Sequence, residues 1–238
     1  MLSLETFAFP RDAVFAMSKK LLRLVKMREQ KFFNLAISGG ETARRIFEVW
    51  RGDFAEKIDW HAVRFFWVDE RVADENSWES NFFNANEMFF KPLGISPDMV
   101  FKIDASSGAE TGAKKYSALL KKIFAKDKFC GEIFFDCTIL GAGADGHVGS
   151  VFAENFDRLY AAGDLYAASE NPRTRQPRIT MTPRAMLNSH EILMPILGAE
   201  KRGLLRRIFC EITVGTPAMP VSRVIKNAAQ IAVFSGSA

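Results

Sequence analysis

Apolar residues along the chain follow two alternating patterns, one typical of helices and the other of buried strands. In residues 10–28 they stand three or four positions apart, which predicts an amphipathic helix. The next apolar run, residues 32–37, is short and continuous and ends in Ser-Gly-Gly, which predicts a buried strand leading into a tight turn. These residues therefore predict a helix, a strand and a turn in succession.

The same alternation continues along the rest of the chain. Further strands are predicted at residues 63–68, 133–140, 178–181, 191–196 and 230–234. Further helices are predicted at residues 42–50, 81–90, 111–124 and 200–210. Strands alternating with helices favour an α/β fold with a doubly wound, mainly parallel sheet and helices on both faces, a Rossmann-like three-layer arrangement. No internal repeat interrupts the 238 residues, so we expect a single domain over residues 1–238.

Composition excludes disordered and membrane-spanning classes. Hydrophobic residues make up 48% and charged residues 25% of the chain, which is ordinary for a globular protein. No apolar run approaches the length of a membrane span, and residues 1–12 lack the basic start and apolar stretch of a signal peptide. We expect a cytoplasmic monomer that does not bind membranes.

Charge and metal-ligating residues narrow the range of partners. The formal net charge of +4 suits an anionic partner, but the basic residues are spread along the chain without a nucleic-acid-binding motif. A small anionic molecule is therefore favoured over nucleic acid. The 3 cysteines include no C-x-x-C pair and the 3 histidines lack H-E-x-x-H spacing, so neither a disulfide framework nor a metal site is expected.

The first turn that could carry chemistry follows the strand at residues 32–37. Ligands of a parallel sheet bind at the carboxyl ends of its strands, so these turns are the places to look. Gly39 and Gly40 allow close backbone approach, and the helix after them offers unpaired N–H groups to an anion such as phosphate. The turn is neither a P-loop nor a dinucleotide-binding turn, and a simple tight turn is the alternative.

The second turn carries three consecutive charges, Asp69, Glu70 and Arg71, directly after an apolar strand. We expect these charges to face the crevice at the end of the sheet. The alternative is an ion-paired strand end without a functional role. Ser80 stands before the next predicted helix and is expected to cap its amino terminus.

The third turn is a glycine-rich loop, residues 140–150, in which Asp145 stands two residues before His147. The glycines leave the imidazole accessible, histidine transfers protons near neutral pH, and a neighbouring carboxylate can orient it. A structural histidine is the alternative. Neither Ser38 nor Ser150 lies in a G-x-S-x-G elbow, which argues against a serine hydrolase.

Two basic residues come later, in the second half of the chain. Arg178 opens a predicted strand and Lys201 stands at the start of a predicted helix. Together they could bind a phosphate group. For Lys201 alone, a solvent-facing lysine is the simpler interpretation.

Taken in order, the segments ISGGET, WVDERVADENSWESN, LGAGADGHVGSVF, RITMT and LGAEK resemble the 6-phosphogluconolactonase family, which is related to the glucosamine-6-phosphate deaminases. The resemblance spans roughly residues 32–210. It implies hydrolysis of 6-phospho-D-glucono-1,5-lactone to 6-phosphogluconate, the second step of the oxidative pentose phosphate pathway. It also implies that neither a metal nor an organic cofactor takes part.

The resemblance assigns roles to individual residues by position. His147 matches the catalytic histidine and Asp145 the acid of the same loop, while Asp69 and Arg71 match the Asp-Glu-Arg motif of the family. The residues that the resemblance places at the substrate and its phosphate are Ser38, Gly39, Gly40, Thr42, Asn81, Arg178 and Lys201.

The chain departs from the family pattern at the phosphate turn, where Glu41 replaces a serine. A carboxylate beside a phosphate would repel it, so either Glu41 points away or phosphate affinity is reduced. The nearest rival activity is a glucosamine-6-phosphate deaminase. Those enzymes carry tyrosines at the positions of Arg71 and Asn81 and a glutamate at the position of Phe152. A non-catalytic sugar-phosphate sensor is the rival of another class.

Overall fold

The computed structural model of the protein describes residues 1–126 and 135–237. Six strands form a parallel sheet: β1 (Leu2–Phe7), β2 (Phe33–Ile37), β3 (Val63–Trp67), β5 (Phe135–Ile139), β8 (Ser189–Leu197) and β9 (Ile231–Gly236). Their order across the sheet is β1-β9-β8-β5-β2-β3, and every neighbouring pair is parallel. In β2 and β9 every residue is buried, and since successive side chains point to opposite faces, both faces of the sheet are covered.

A second, three-stranded sheet stands beside the first. It consists of β4 (Asp69–Arg71), β6 (Tyr166–Glu170) and β7 (Pro177–Met181). The order is β4-β7-β6 and both pairings are antiparallel. Strand β4 begins two residues after the end of β3, so this small sheet extends from the carboxyl end of a strand of the large one.

Eight α-helices connect these strands within the described part of the chain. They are α1 (Pro10–Lys26), α2 (Glu41–Asp53), α3 (Asn81–Ala85), α4 (Ala109–Lys126), α5 (Phe156–Tyr160), α6 (Pro183–Leu187), α7 (Arg202–Val214) and α8 (Pro220–Asn227). Helix α3 continues into a wider helical turn, Asn86–Phe90. Within residues 1–126 and 135–237, no helix has both the length and the apolar composition that crossing a bilayer requires.

The predicted α/β fold with a mainly parallel sheet is confirmed, and most predicted elements lie within one to four residues of their observed bounds. One strand lies elsewhere than expected. Residues 178–181 form a strand, but it pairs antiparallel in the small sheet instead of joining the large one. Residues 133–134 of the predicted fifth strand lie outside the described residues.

Strands β1, β4 and β6 and helices α5, α6 and α8 have no counterpart among the predicted elements. Strand β1 illustrates why: almost all of its residues are exposed, and its apolar alternation is limited to Leu2 and Leu4, which is too short to predict a buried strand. It forms because its backbone pairs with β9, more than 200 residues away in sequence, from Leu2 opposite Ile231 to Phe7 opposite Gly236. Such long-range pairing leaves no local signal.

An aromatic cluster packs helix α2 and the turn after α3 against β3. Phe89 is fully buried at its centre, with ring centroids 4.9 Å from Trp60, 5.2 Å from Trp50, 5.6 Å from Phe47 and 5.8 Å from Phe65. These pairs are stacked, tilted or edge-to-face, the arrangements that aromatic rings prefer. The cluster thereby anchors helix α2, which begins directly after the glycine turn.

We predict that Phe89→Ala lowers the free energy of unfolding by about 3–5 kcal/mol, because it leaves a cavity among the four rings. Equilibrium urea unfolding measures this loss. Phe9→Ala is the matched control, since the Phe9 side chain is 60% exposed, and its effect should stay within about 1 kcal/mol. Equal effects of the two substitutions would contradict the assignment of Phe89 to the centre of the core.

Candidate active site

A cleft of about 330 Å³ opens at the carboxyl ends of β2, β5 and β8 and extends to the small sheet. It contains every site residue predicted from the sequence except Asn81 and Asp145. The predicted residues that line it are Ser38, Gly39, Gly40, Thr42, Asp69, Arg71, His147, Arg178 and Lys201. The parallel topology therefore brings the three turns and the two later cations to one place.

The glycine turn depends on both of its glycines. A side chain at Gly39 would bring its Cβ to 1.9 Å from Asn81 Oδ1, and Gly40 has a φ of +82°, which favours glycine. Helix α2 begins directly after Gly40, so its first N–H groups are directed at the cleft. The hydroxyl of Ser38 accepts a hydrogen bond from Gly141 N at 3.0 Å, which joins this turn to the histidine loop.

Asn81 does not line the cleft, contrary to its predicted contact with substrate. Its side chain is buried behind Gly39, and its Nδ2 donates to the backbone oxygen of Asp69 at 2.9 Å. Asn81 therefore holds the glycine turn and β4 together. The family resemblance placed Asn81 among the substrate-binding residues. The sequence gave no sign that its side chain would lie behind the glycine turn instead of in the cleft.

Glu41 lines the rim of the cleft and extends along α2 toward Arg45. Its side chain is 70% exposed, and its carboxylate lies 3.6 Å from Arg45 Nε, one helical turn further along α2. The carboxylate is therefore engaged by Arg45, although Glu41 still lines the cleft. The N–H groups at the start of α2 remain available to an anion.

Lys201 joins the start of α7 to the start of α2. Its Nζ donates to Thr42 Oγ1 at 3.1 Å. Burial lowers the pKa of Lys201; the neighbouring Glu200 acts in the opposite direction, and the positive charge of Arg45 lowers it further. A partly desolvated ammonium group beside helix N–H groups favours an anionic ligand.

Arg71 and Arg178 stand directly opposite each other on β4 and β7. Like charges in this position destabilise a sheet. Burial and the charge of Arg71 together lower the pKa of Arg178, while Asp69 acts in the opposite direction. The Nε atoms of both arginines are buried without a hydrogen-bond partner, although Arg71 Nη1 donates to Glu79 O at 2.7 Å. An anion between the two guanidinium groups would satisfy these donors and relieve the repulsion.

Of the three consecutive charges after β3, only two face the cleft. Side chains alternate along β4, so Asp69 and Arg71 share one side and Glu70 points to the other. The buried Glu70 carboxylate accepts hydrogen bonds from three backbone N–H groups, including that of Asn81 at 2.8 Å, and from Ser80 Oγ at 3.1 Å. Burial raises the pKa of Glu70, and the hydrogen bonds from the backbone oppose this rise.

The predicted cap of α3 is confirmed, because Ser80 Oγ accepts a hydrogen bond from Phe83 N at 3.1 Å. Ser150 is likewise structural. It is fully buried, and its hydroxyl donates to Asp69 Oδ2 at 2.7 Å. This hydrogen bond ties the histidine loop to β4 and fixes the carboxylate of Asp69 at the side of the cleft.

His147 and Asp145 form a hydrogen-bonded pair, with 2.6 Å between His147 Nδ1 and Asp145 Oδ1. Burial raises the pKa of Asp145, but the charge and the hydrogen bonds of His147 outweigh burial, so the net effect is a lowered pKa. A protonated Nδ1 donates a hydrogen bond to the ionised Asp145 carboxylate, and in that tautomer Nε2 of the ring keeps its lone pair. Asp145 itself lines an adjoining pocket and reaches the main cleft only through His147.

The imidazole lies directly on the backbone of its own loop. A Cβ added at Gly143 would lie 2.1 Å from His147 Cε1 and 2.8 Å from Asp145 Oδ1. On another side, the ring packs against Phe152, with 4.9 Å between the centroids. The loop therefore holds the ring by packing as well as by the hydrogen bond.

Sequence reasoning missed three polar residues of the cleft, Arg45, Asn171 and Glu200. Arg45 could have been found, because it lies four residues after Glu41 on the same helix face. Asn171 belongs to a loop and had no local signal. Among residues 1–126 and 135–237, no group of three or more His, Cys, Asp or Glu side chains could hold a metal ion.

The sequence profile of the glucosamine-6-phosphate isomerases/6-phosphogluconolactonase matches residues 11–233. The chain belongs to this family. The resemblance inferred from the motifs is thereby confirmed. The family contains both isomerases and lactonases, so membership alone does not select one reaction.

Individual relatives of the chain are named as 6-phosphogluconolactonases. A 6-phosphogluconolactonase of Treponema pallidum is 32% identical over 192 residues, which are 81% of this chain and 78% of the relative. That of Thermotoga maritima is 35% identical over 193 residues, or 79% of either chain. A solved 6-phosphogluconolactonase structure from Thermotoga maritima has a TM-score of 0.80 at 26% identity, covering 99% of this chain and 100% of that one.

We predict that Gly143→Ala displaces the His147 ring and breaks its hydrogen bond to Asp145, because the new methyl group would occupy the position of the ring. Side-chain NMR of the histidines, of which the chain has 3, detects this change directly. Gly163→Ala is the matched control, since a Cβ there meets nothing within 4 Å. An unchanged His147 signal in Gly143→Ala would contradict the geometry of the loop.

Proposed function

We propose that the protein is a 6-phosphogluconolactonase, which hydrolyses 6-phospho-D-glucono-1,5-lactone to 6-phospho-D-gluconate. The observation that carries the proposal is that one cleft joins the His147–Asp145 pair to the cations Arg71, Arg178 and Lys201. A base and an anion site in one cleft suit a small substrate that carries both a phosphate and an ester carbonyl. The names of the relatives point in the same direction.

The phosphate binds at the end of the cleft formed by the starts of α2 and α7. Lys201 and Arg178 supply charge, and the N–H groups after Gly40 supply hydrogen bonds. The Glu41 carboxylate extends toward Arg45, which leaves the N–H groups at the start of α2 open to the phosphate. Fixing the phosphate places the lactone carbonyl near His147, which turns the reaction with water into an effectively intramolecular one.

His147 acts as general base through Nε2. It accepts a proton from the attacking water while the water oxygen forms a bond to the lactone carbonyl carbon. The tetrahedral intermediate then breaks the bond to the ring oxygen, which takes up the proton and becomes the hydroxyl of the open-chain acid. General base catalysis of this kind contributes about 10²- to 10⁴-fold in rate. Asp145 keeps Nδ1 protonated and the ring in place.

Arg71 stabilises the negative charge that develops on the carbonyl oxygen, as an oxyanion-binding group. Its buried Nε is free to donate, and its position opposite Arg178 puts positive charge at the centre of the cleft. Asp69 is held by Ser150 and faces the two arginines. We assign to Asp69 the role of orienting polar groups around the substrate, not that of a nucleophile.

The deaminase alternative requires an acid beside the histidine that could help open the sugar ring. Phe152 occupies that position, and its ring packs against the imidazole. An apolar side chain cannot relay a proton. A non-catalytic sensor would need the phosphate site but not the oriented His147–Asp145 pair. No observation favours either alternative over lactone hydrolysis.

The remaining expectations belong to the same proposal: the enzyme works as a cytoplasmic monomer and needs no metal or organic cofactor. Gel filtration tests whether the protein is a monomer. Activity in the presence of a chelator tests whether it needs a metal. A loss of activity with chelator that added metal restores would contradict the cofactor-free mechanism.

We predict that the purified protein accelerates lactone hydrolysis far above the spontaneous rate and releases no ammonia from glucosamine 6-phosphate. Loss of lactone and release of ammonia are followed in parallel at the same enzyme concentration. Comparable rates in the two assays would favour the deaminase. Binding of 6-phosphogluconate without any acceleration of lactone hydrolysis would favour the sensor.

We predict that His147→Ala lowers kcat at least about a hundredfold, because the general base is lost. His190→Ala is the matched control, because His190 is exposed and does not line the cleft. Near-normal turnover by folded His147→Ala would remove His147 from the mechanism.

A further inference from the structure

Arg45 lines the phosphate end of the cleft, together with Thr42 and Lys201. It lies on the first turns of α2, close enough to Lys201 for its positive charge to help lower the pKa of that lysine. Two cations that repel each other at one end of a cleft are stabilised when an anion binds between them. Arg45 therefore stands where a third cationic contact to a phosphate would be made.

The present partner of Arg45 is a weak one. The Glu41 carboxylate lies 3.6 Å from Arg45 Nε, and the two side chains are 70% and 43% exposed, respectively. Exposed ion pairs of this kind contribute little because water and salt screen them. A phosphate bearing up to two negative charges competes well against a single exposed carboxylate.

The neighbouring Arg44 has a different environment, although it belongs to the same helix. Its Nε donates to Asn84 Oδ1 at 3.0 Å, and its guanidinium lies 5.7 Å from the centre of the Trp78 ring. It does not line the cleft. The two consecutive arginines therefore provide one candidate ligand and one internal control of identical charge.

We propose that Arg45 is a further phosphate-binding residue of this cleft, and that Glu41 holds its guanidinium until the phosphate displaces the carboxylate. The inference rests on the proposed function for the identity of the phosphate compound, but not for the presence of the anion site. It explains how a carboxylate can occupy the first position of α2 without preventing phosphate binding. Glu41 is then a competitor that weakens binding, and Arg45 is the group for which it competes.

The test is a double-mutant cycle of Glu41→Gln and Arg45→Gln, with the dissociation constant of 6-phosphogluconate measured by calorimetry. Glu41→Gln is expected to bind several-fold more tightly than the unsubstituted protein. Adding Arg45→Gln to Glu41→Gln should weaken binding about tenfold, the size of one charge-assisted contact. Lys201→Ala provides a benchmark for such a contact, and Arg45→Lys should recover part of the loss.

Two measurements separate this proposal from a merely structural role of Arg45. Gluconate, which lacks the phosphate, should bind equally well with and without Arg45→Gln. The KM for the lactone should rise together with the dissociation constant of 6-phosphogluconate. Arg44→Gln should leave both constants unchanged, because it removes the same charge outside the cleft.

If Arg45→Gln has no effect in the Glu41→Gln background, Arg45 only neutralises Glu41 and the proposal is wrong. An equal loss in Arg44→Gln would also overturn it, because the effect would then be one of overall charge. Lactone hydrolysis by the unsubstituted protein distinguishes a failure of the proposed function from a failure of the role proposed for Arg45. If hydrolysis is absent but 6-phosphogluconate binding depends on Arg45, the proposed function fails and the anion site stands. If hydrolysis is present without that dependence, only the role of Arg45 fails.

Discussion

The carboxylate of Glu70 binds the first turn of helix α3, and much of the cleft depends on this contact. It receives three backbone N–H groups and the Ser80 hydroxyl in a buried position. Because side chains alternate along a strand, fixing Glu70 on one side of β4 directs Asp69 and Arg71 to the other. The same contact positions Asn81 behind the glycine turn. One residue outside the cleft thus orients three that shape it.

The cleft brings together charged residues that lie far apart in the sequence. Its cations come from β4, β7, α2 and the start of α7, and only the fold brings them together. The cleft also contains carboxylates: Asp69 accepts a hydrogen bond from Ser150, Glu41 extends toward Arg45, and Glu200 adjoins Lys201. The result is a positive site in a protein whose formal net charge is only +4.

Sequence reasoning succeeded where position along the chain implies position in space. Turns after parallel strands meet at one edge, so the glycine turn and the histidine loop could be placed together before the structure was known. It failed where orientation depends on distant contacts. Asp69 and Glu70 are adjacent acids with no local difference, yet one faces the cleft and the other supports a helix. Strands β1, β4 and β6 were missed because pairing, not pattern, makes them strands.

The parallel sheet also has a consequence for protein engineering. Strand β1 begins at the side of the sheet that holds the amino ends of all six parallel strands. The cleft lies at the opposite side, at their carboxyl ends. Residues fused ahead of Met1 would therefore leave the molecule far from the cleft. Strand β9 ends at Gly236, on the same side of the sheet as the cleft. Arg202, which follows Lys201, donates to the backbone oxygen of Ser237 at 2.8 Å. An affinity tag belongs at the amino terminus, since one at the other end would be tethered beside the site where small anions enter.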